Sequence, residues 1–523
     1  MATLNPTRKA ATEIRLQNEM TINEELAPAF KMEAKSRLIE RVLGAFWSED
    51  SFYKKGADTA SAIIADIQEV AKVDPKFILQ LAAYARNDIY MRTTPQVLLA
   101  EASRIDACKS FVRAYTPKIV KRPDEVCDVL AYLITKYGDK DGKNKKIPNQ
   151  LKWGLAEALQ QFDEYQLFKY DSNKGQVSLG GALKLVHRHA GFPLTKAMSD
   201  YLEKDTVDTE ALPKIAAIKQ LMQKDSLDEE ALELIRKSHV TWEVLISKFG
   251  SNKDTWAAVA PNMPYMAKLR NLNNFIKNDV PLDEILAELS NPERVKTSKQ
   301  LPYRFYSAYM EVDNQKVQRA LAQAFESSIS NVGLSGVTAV AVDLSSSMNT
   351  PVSQHSKVTR RKIGCVLGAI AVKKSADSIA IGFGDTAMAA KLNPDDTMMT
   401  NAVRIEGLNV GHSTNAHLIF GAIGNRKVDR IVVFSDMQCY DTTGKTSRWG
   451  YGNTALNQAF DEYRRNINPD AMLYSVDLNA YGTSQFPSFH KNVVALYGWS
   501  DKIIDLIQLT EGKDAMLAQI SKW

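Results

Sequence analysis

The feature that most constrains the fold is the apolar run Val337–Val342, which is followed at once by the polar segment Asp343–Met348. An apolar, β-branched run of this length predicts a strand that is buried on both faces. In an open α/β sheet, ligands bind at the carboxyl ends of the strands. The sequence therefore predicts a ligand site formed by Asp343, Ser345 and Ser347.

The side chains of this segment predict a metal site. One carboxylate and two hydroxyls at i, i+2 and i+4 are hard oxygen ligands, which suit magnesium or calcium better than zinc. The spacing D-x-S-x-S resembles the metal-ion-dependent adhesion site (MIDAS) of von Willebrand A-type domains. The alternative is a Ser-rich loop in which Asp343 caps the next helix.

Two later loops match the remaining positions of such a site, which takes a threonine hydroxyl and a second aspartate. Thr414 lies in a small polar loop, and Asp436 follows the apolar run Arg430–Ser435. Domains of this type often have an acid at the position of Asn415, so this chain has one negative charge fewer there. We expect a divalent cation, with magnesium as the first candidate, at the oxygens of Asp343, Ser345, Ser347, Thr414 and Asp436.

Alternating strands and helices around these loops predict a doubly wound α/β domain over residues 333–523. The further predicted strands are Ser378–Phe383, Ala471–Val476 and Asn492–Tyr497. The predicted helices are Arg360–Ser375, Leu418–Ile423, about Thr454–Arg464 and Asp501–Leu509.

Residues 25–332 show almost no strand-like alternation and predict a series of helices after a polar extension, residues 1–24. Helix pairs that recur every 35–45 residues are typical of an α-solenoid of the HEAT type. We predict a domain boundary near Ser330–Gly336, where the composition is that of a linker. Examples of the predicted helices are Lys35–Phe46, Thr59–Ala71, Pro75–Asn87, Pro95–Ser103, Pro123–Lys136, Leu151–Phe162, Leu183–His189, Leu212–Gln223, Asp228–Lys237, Thr241–Phe249, Tyr265–Ile276 and Leu282–Leu289.

Composition narrows the functional classes. No apolar run reaches the length of about 18 residues that a membrane span needs, and the amino terminus is polar, so we expect neither a membrane segment nor a signal peptide. The 4 cysteines are scattered without a C-x-x-C pair, which favours a reducing cytoplasm over a disulfide framework or a zinc site.

An enzyme is not expected. The chain contains no G-x-S-x-G, H-E-x-x-H or G-x-x-x-x-G-K-[ST] motif. Leu344-Ser345 breaks the D-x-D pattern of haloacid-type phosphotransferases. A two-metal ribonuclease would need more converging acids than Asp343 and Asp436.

Several short motifs in a fixed order resemble TROVE-domain proteins of the Ro ribonucleoprotein family, in particular its bacterial members. The resemblance covers the chain from about Phe30 to Leu509. The matching stretches are Ala85–Asp88, Arg92–Pro95, Leu151–Leu155, Phe168–Tyr170, Leu183–His187, Asn262–Pro264, Leu269–Leu272, Asp343–Met348 and Gly498–Asp501.

The resemblance implies a fold and a function. In that family the helical repeats close into a ring, and the A-type domain joins its ends. Members bind small noncoding Y RNAs on a basic outer surface and single-stranded 3′ ends of misfolded RNAs through the hole. This implies a cytoplasmic RNA-binding scaffold, monomeric as a ring, with a role in RNA quality control or processing. It also implies a 3′-to-5′ exoribonuclease, such as polynucleotide phosphorylase, as a partner.

The residues between Lys152 and Lys196 fit RNA binding because cations alternate there with aromatic rings. Cations contact phosphates whatever the sequence, whereas rings stack on unpaired bases. Residues 101–200 carry 17 Lys and Arg against 12 Asp and Glu, a local basic surplus. The candidate RNA contacts are Arg92, Lys169, Lys174, Lys184, His187, Arg188 and Arg270.

Lys169 and His187 occupy positions that contact RNA in the family's motif. Family members usually have an arginine four residues after that lysine, where this chain has Asn173 beside Lys174. Recognition of Y RNA through that arginine is therefore in question, although Lys174 offers a phosphate contact. The alternative for each basic residue is a solvated helix face, and for His187 a core histidine bonded to the backbone.

A second function remains open from the sequence. The A-type domain would serve as a metal-dependent protein-adhesion module, in which a partner's carboxylate completes the coordination of the cation. In that case the helices would be a scaffold without an RNA function. Measurable affinity for RNA at low salt distinguishes the two interpretations.

Overall fold

In a computed structural model, a long series of helices precedes a six-stranded sheet that is flanked by helices. The predicted fold class, a helical repeat domain followed by a doubly wound α/β domain, is confirmed. The structure describes residues 20–22, 28–44, 57–139, 147–171, 176–186, 193–329, 333–351, 357–393, 396–439, 454–479, 483–487, 490–498, 503–504, 507 and 515–523.

Helices fill most of the described part of the chain before residue 330. They are α1 (Ala34–Gly44), α2 (Ala57–Val73), α3 (Pro75–Asn87), α4 (Thr93–Ala102), α5 (Lys109–Ile119), α6 (Pro123–Tyr137), α7 (Asn149–Leu159), α8 (Glu164–Tyr170), α9 (Leu179–Val186), α10 (Pro193–Lys204), α11 (Pro213–Met222), α12 (Glu229–Ser238), α13 (Trp242–Phe249), α14 (Lys253–Val259), α15 (Tyr265–Arg270), α16 (Leu272–Lys277), α17 (Asp283–Ser290), α18 (Pro292–Ser298), α19 (Pro302–Glu311) and α20 (Gln315–Ser327).

Neighbouring helices pack in pairs, as a solenoid requires. The pairs with the most extensive contacts include α3 with α4, α5 with α7, and α11 with α12. At the α5–α7 contact the backbones approach closely, because a Cβ on Gly154 would lie 2.5 Å from Oγ1 of Thr116. Leu151 and Leu155, on either side of this glycine, are fully buried.

The prediction of one helix over Tyr265–Ile276 is wrong, because the structure has two helices that meet at Asn271. The backbone of Asn271 has φ −100° and ψ 12°, outside the helical region. Its side-chain amide donates to the carbonyl of Ala267 at 2.9 Å and its carbonyl oxygen accepts from Asn274 at 2.8 Å. Asparagine side chains compete with the helix for backbone groups in this way.

The carboxy-terminal domain is built on one sheet whose strand order is β5-β4-β3-β6-β7-β9. β5 is an antiparallel edge strand and the other pairings are parallel. Its strands are β3 (Leu334–Asp343), β4 (Ser375–Phe383), β5 (Ala387–Ala389), β6 (Arg430–Ser435), β7 (Met472–Asp477) and β9 (Val493–Tyr497). The helices of this part are α21 (Arg360–Lys374), α22 (Met398–Glu406), α23 (Ile419–Ile423), α24 (Ala455–Asn466) and α25 (Ala515–Ser521).

β3 lies in the middle of the sheet and is buried on both faces, as its apolar run predicts. Val340 and Val342 face α21, where the glycine at 368 leaves room for Val342; a Cβ there would be 2.6 Å from Cγ2 of the valine. Ala339 and Ala341 face the opposite layer, which contains the buried side chains of Ile419 and other residues of α23 and α24.

A second, small sheet departs from the predicted absence of strands near the amino terminus. β1 (Met20–Ile22) pairs with β2 (Pro28–Lys31), which pairs with β8 (Thr483–Ser484), all antiparallel. β1 falls within residues 1–24, expected only to be a polar extension, and β2 is a short strand at the start of the otherwise helical residues 25–332. Phe30 of β2 is fully buried, which explains why this short strand is ordered without a clear sequence pattern.

The chain divides into two compact units. One comprises Met1–Asp66, Leu301–Met310 and Phe325–Lys522, and therefore contains the large sheet; the other comprises Ile67–Gln300, Glu311–Ala324 and Trp523. The predicted boundary between residues 332 and 333 marks the change from helices to sheet, but it does not coincide with the limits of these units. The helices among the described residues are too short or too polar to cross a membrane.

Candidate metal centre and nucleic-acid interface

The ends of β3 and β6 bring two acidic residues to one edge of the large sheet. β3 pairs in parallel with β6, with Val342 opposite Phe434, so Asp343 and Asp436 follow at the same edge. Both aspartates are fully buried. On the other side of β3, Asp343 lies opposite Phe383, the last residue of β4.

The hydrogen bonds of Asp343 hold the D-x-S-x-S loop in place. Its Oδ1 accepts from the backbone N–H of Ser345 at 2.9 Å, and its Oδ2 accepts from the hydroxyl of Ser435 at 2.5 Å. The hydroxyl oxygens of Ser345 and Ser347 are 3.1 Å apart. Helix α21 is capped instead by Thr359, which accepts from the N–H of Lys362, so Asp343 is not the cap of that helix.

Electrostatics at this edge favour a cation. Burial, followed by the charge of Asp436, raises the pKa of Asp343 to about 7, although hydrogen bonds from Ser345 and Ser435 oppose the rise. Two buried carboxylates that repel each other are stabilised by a divalent ion, and carboxylate and hydroxyl oxygens are ligands for magnesium. The residues present therefore fit the implied metal.

Thr414 belongs to a loop that is fastened to the D-x-S-x-S loop. The carbonyl of His412 accepts from the N–H of Ser346 at 2.9 Å, and the N–H of Asn415 donates to Gly384 at 3.1 Å. Thr414 is 6% exposed. The structure thus collects Asp343, Ser345, Ser347 and Asp436 at one sheet edge and ties the Thr414 loop to them.

Asp385 is a residue of this region that the sequence interpretation missed. It follows the end of β4, and its carboxylate accepts from the N–H groups of His412 and Ser413, both at 3.0 Å. Bonds from Ser413 and from the two N–H groups lower the pKa of Asp385. An acid two residues after the predicted strand Ser378–Phe383 was a usable signal, since ligand loops follow strand ends.

The described residues contain no group of three or more His, Cys, Asp and Glu side chains that could hold a metal. A cation at the sheet edge would therefore depend on the hydroxyls of Ser345, Ser347 and Thr414 in addition to the two carboxylates.

Two of the predicted RNA contacts, Arg92 and Lys169, lie together in the helical unit. Arg122 Cζ is 4.2 Å from the ring centre of Tyr170, and Lys169 Nζ is 5.5 Å from the same ring. Lys169 Nζ is also 5.6 Å from the ring centre of Tyr165. We call Arg92, Arg122, Tyr165, Lys169 and Tyr170 the basic–aromatic patch.

The cations of this patch crowd one another. Loss of hydration and then repulsion from Arg122 lower the pKa of Arg92. Burial lowers the pKa of Lys169, Glu243 opposes this shift, and Arg122 and Arg92 add to it. Despite the loss of hydration, Asp124 and Tyr170 raise the pKa of Arg122, so the repulsion that an anion would relieve is felt at Arg92 and Lys169. These two cations are suited to a phosphate group.

Arg122 was not predicted as an RNA contact, because it lies at the start of α6 and far from Lys169 in the sequence. Its guanidinium donates from Nε to Asp124 at 2.9 Å, which fixes one edge of the group while its face lies over Tyr170. No sequence motif marked this residue; only the fold brings it to Lys169.

Of the other predicted RNA contacts, Lys184 and Arg270 lie among the described residues. Lys184 is exposed on α9 and forms an ion pair with Glu203 at 3.4 Å. Arg270 is exposed at the end of α15. Lys174, His187 and Arg188 lie outside the described residues.

Part of the motif set has a structural role. Arg86 forms a 2.7 Å ion pair with Glu125, whose side chain is 2% exposed. Asp88 accepts a 2.7 Å hydrogen bond from the indole of Trp523. The Arg86–Glu125 pair and Gly154 at the α5–α7 contact stabilise helix packing, and Asp88 ties the carboxy-terminal Trp523 to the end of α3.

Two family models match the chain. The TROVE domain matches residues 31–178 and 234–374, more than half of the sequence. The Ro60 vWA domain matches residues 338–509 and includes all five predicted metal ligands.

Curated relatives and a solved structure are also similar. Telomerase protein component 1 of Rattus norvegicus is 24% identical over 329 residues, 52% of this chain and 12% of that protein. Its Mus musculus counterpart is 24% identical over 56% of this chain and 13% of that protein. The chain therefore spans about an eighth of these relatives. The crystal structure of Deinococcus radiodurans RO (RSR) protein has the same fold, with a TM-score of 0.61 and 17% identity over 87% of this chain and 93% of that one.

Proposed function

Since the chain belongs to the TROVE family of Ro proteins, which are RNA-binding components of ribonucleoproteins, we propose that it is the protein scaffold of a small ribonucleoprotein. It would bind Y-like noncoding RNA and the single-stranded 3′ ends of misfolded or structured RNAs, in RNA quality control or processing. The role is that of a binding protein, not of an enzyme.

The basic–aromatic patch is the observation that carries this proposal. Arg92, Arg122 and Lys169 supply positive charge for phosphates, and Tyr165 and Tyr170 supply flat rings beside it. Phosphate contacts give affinity without regard to sequence, and rings stack on unpaired bases. The patch therefore suits a flexible strand better than a base-paired one.

The test is a salt titration of RNA binding. The double variant Arg122→Ala/Lys169→Ala should weaken binding of unrelated RNAs and reduce the slope of log K against log salt by about one unit per lost phosphate contact. Lys237→Ala, an exposed lysine on α12, is the control and should leave the slope unchanged. Equal slopes for all three proteins would place the RNA site elsewhere.

Tyr170 tests the stacking part of the proposal. Tyr170→Ala should weaken binding of a hairpin with a single-stranded 3′ tail by about 1–3 kcal/mol, the usual value of one stacked base. The affinity for the same hairpin without a tail should fall much less. Equal losses for both RNAs would mean that the ring serves only to hold Arg122.

We further propose that the sheet edge binds a divalent cation, magnesium first. Asp343, Ser345, Ser347, Thr414 and Asp436 would hold it, and the ion would supply a coordination position open to a carboxylate. Asp343→Ala should abolish magnesium binding measured by calorimetry, whereas Asp377→Ala, an exposed aspartate on β4, should not. Retained binding in Asp343→Ala would contradict the metal site.

The metal site also supports the second candidate function, protein adhesion through the A-type domain. If adhesion and RNA binding are separate functions, Asp343→Ala will leave RNA affinity at the wild-type value. A chain with a working metal site and no RNA affinity at low salt would be an adhesion module alone.

A 3′-to-5′ exoribonuclease, such as polynucleotide phosphorylase, fits the proposed role as a partner, because a scaffold that holds a 3′ end can present it for trimming. We place this assembly in the cytoplasm and the scaffold as a monomer. The four cysteines are scattered without a C-x-x-C pair, which favours a reducing compartment. Copurification of the nuclease with the tagged protein tests the association. Loss of the nuclease after ribonuclease treatment would show that the association depends on RNA.

A further inference from the structure

We infer that Asp385 is a positioning residue of the proposed metal site, because its carboxylate holds the loop that carries Thr414. Asp385 comes from the segment after β4, whereas the proposed ligands come from the loops after β3 and β6 and from the Thr414 loop. This inference rests on the proposed metal site and adds a residue that the family motif does not include.

Direct contacts connect Asp385 with the Thr414 loop. One carboxylate oxygen accepts from the N–H of His412 and the other from the N–H of Ser413, both at 3.0 Å. The backbone at Gly411 has φ +85°, and a Cβ there would lie 2.0 Å from Oδ2 of Asp385. The glycine is thus required both by the turn and by the carboxylate that the turn encloses.

The loop is also held on its other sides. The N–H of Thr386 donates to Val410 at 3.0 Å, and the N–H of Asn415 donates to Gly384 at 3.1 Å. The carbonyl of His412 accepts from Ser346 in the D-x-S-x-S loop at 2.9 Å. Thr414 therefore lies between anchored neighbours, and Asp385 provides the anchor on its amino-terminal side.

A hydroxyl ligand needs such support more than a carboxylate does. The threonine oxygen is neutral, so its attraction to a cation is weak and its position must be fixed before the ion arrives. The chain has Asn415 where related domains often have an acid, and the ionised Asp385 supplies negative charge to the same loop from the segment after β4. Residues that orient metal ligands typically contribute about 10- to 100-fold to metal affinity.

The experiment measures magnesium affinity by calorimetry for the full-length wild type and matched variants. Asp385→Ala should bind magnesium about 10- to 100-fold more weakly, and Asp385→Asn, which keeps one acceptor oxygen, should fall between the two. Asp377→Ala is the control, because Asp377 is an exposed aspartate on β4, the strand that precedes Asp385, and its partner is Arg426, at 2.6 Å. It should bind as the wild type does.

Amide hydrogen exchange in the absence of ions provides a second measurement. Asp385→Ala should speed exchange at His412 and Ser413 but not in β3, which separates loosening of the loop from general unfolding. Should Asp385→Ala fail to fold, the nearly isosteric Asp385→Asn decides. Wild-type affinity in the Asp385 variants would overturn the inference and leave the metal site intact, whereas a wild type that binds no magnesium would overturn both.

Discussion

Among single residues, buried acids in this chain serve opposite purposes. Glu125 is buried but compensated, since Arg86 and the backbone N–H of Lys121, each 2.7 Å away, bind its oxygens. Burial raises the pKa of both acids, but at Glu125 the charge of Arg86 opposes the rise, whereas at Asp343 the second acid, Asp436, adds to it. The first arrangement stabilises a packed interior, and the second is typical of a site that binds a cation.

The Arg86–Glu125 pair should contribute to stability. Arg86→Ala leaves Glu125 buried without its cation, and we expect a loss of about 3–5 kcal/mol in the free energy of unfolding. Arg86→Met/Glu125→Leu removes both charges and should cost less. Urea unfolding measures the stability of both variants. An Arg86→Ala variant as stable as the wild type would show that water already solvates Glu125.

Asp343 should make stability depend on pH when no divalent ion is present. Its folded-state pKa of about 7 lies above the unfolded value near 3.8, so the folded protein holds a proton that the unfolded chain has lost. Stability should therefore fall as pH rises from about 4 to about 7. The free energy of unfolding, measured against pH in the presence of a chelator for the wild type and Asp343→Asn, tests this prediction. In Asp343→Asn the decrease in stability between about pH 4 and pH 7 should be smaller.

At the scale of helices and strands, residue patterns predicted the elements whose bounds are set by nearby residues in the sequence. The predicted helix Pro75–Asn87 coincides with α3 because Asp74 caps it and Pro75 fits its first turn. The predicted strand over Val337–Val342 is confirmed, since it lies within β3. The prediction succeeded because a strand at the centre of the sheet buries both faces and is therefore apolar throughout. The break at Asn271 escaped prediction, since periodicity records apolar spacing and not side-chain competition for backbone groups.

Contacts between distant elements could not be predicted from one sequence. Asp343 and Asp436 follow apolar strands, and the carboxyl-end rule therefore identified them. Arg122 acquires its role only when α6 meets α8, and Asp385, although it follows a predicted strand, meets its partners His412 and Ser413 only in the folded chain. No residue pattern encodes those distances.

The α5–α7 contact should be intolerant of side-chain volume. Gly154→Ala places a Cβ against Thr116 and within 3.1 Å of the carbonyl of Arg113, so we expect a loss of about 1–3 kcal/mol. Gly421→Ala, in α23, is the matched control. A Cβ there meets nothing within 4 Å, and this variant should be neutral or slightly stabilising. The midpoints of thermal unfolding compare Gly154→Ala with Gly421→Ala. Equal midpoints would mean that α5 and α7 can move apart to make room for the added Cβ.

For the whole molecule, the division into two compact units predicts that a ligand of one unit stabilises that unit. Magnesium should raise the midpoint of the calorimetric transition that involves the large sheet and leave the helical unit's transition in place. Asp343→Ala should abolish the shift. A single transition that moves as a whole would show that the two units unfold together.

The order of the large sheet has a consequence for the newly made chain. β3, its central strand, leaves the ribosome before either strand that pairs with it, because β4 and β6 both follow in the sequence. Until β4 and β6 have both been made, the backbone of β3 is not paired on both sides. Exposed apolar strands of this kind favour aggregation. During synthesis, the interval between Asp343 and Ser435 is thus the period in which chaperones would matter most for this protein.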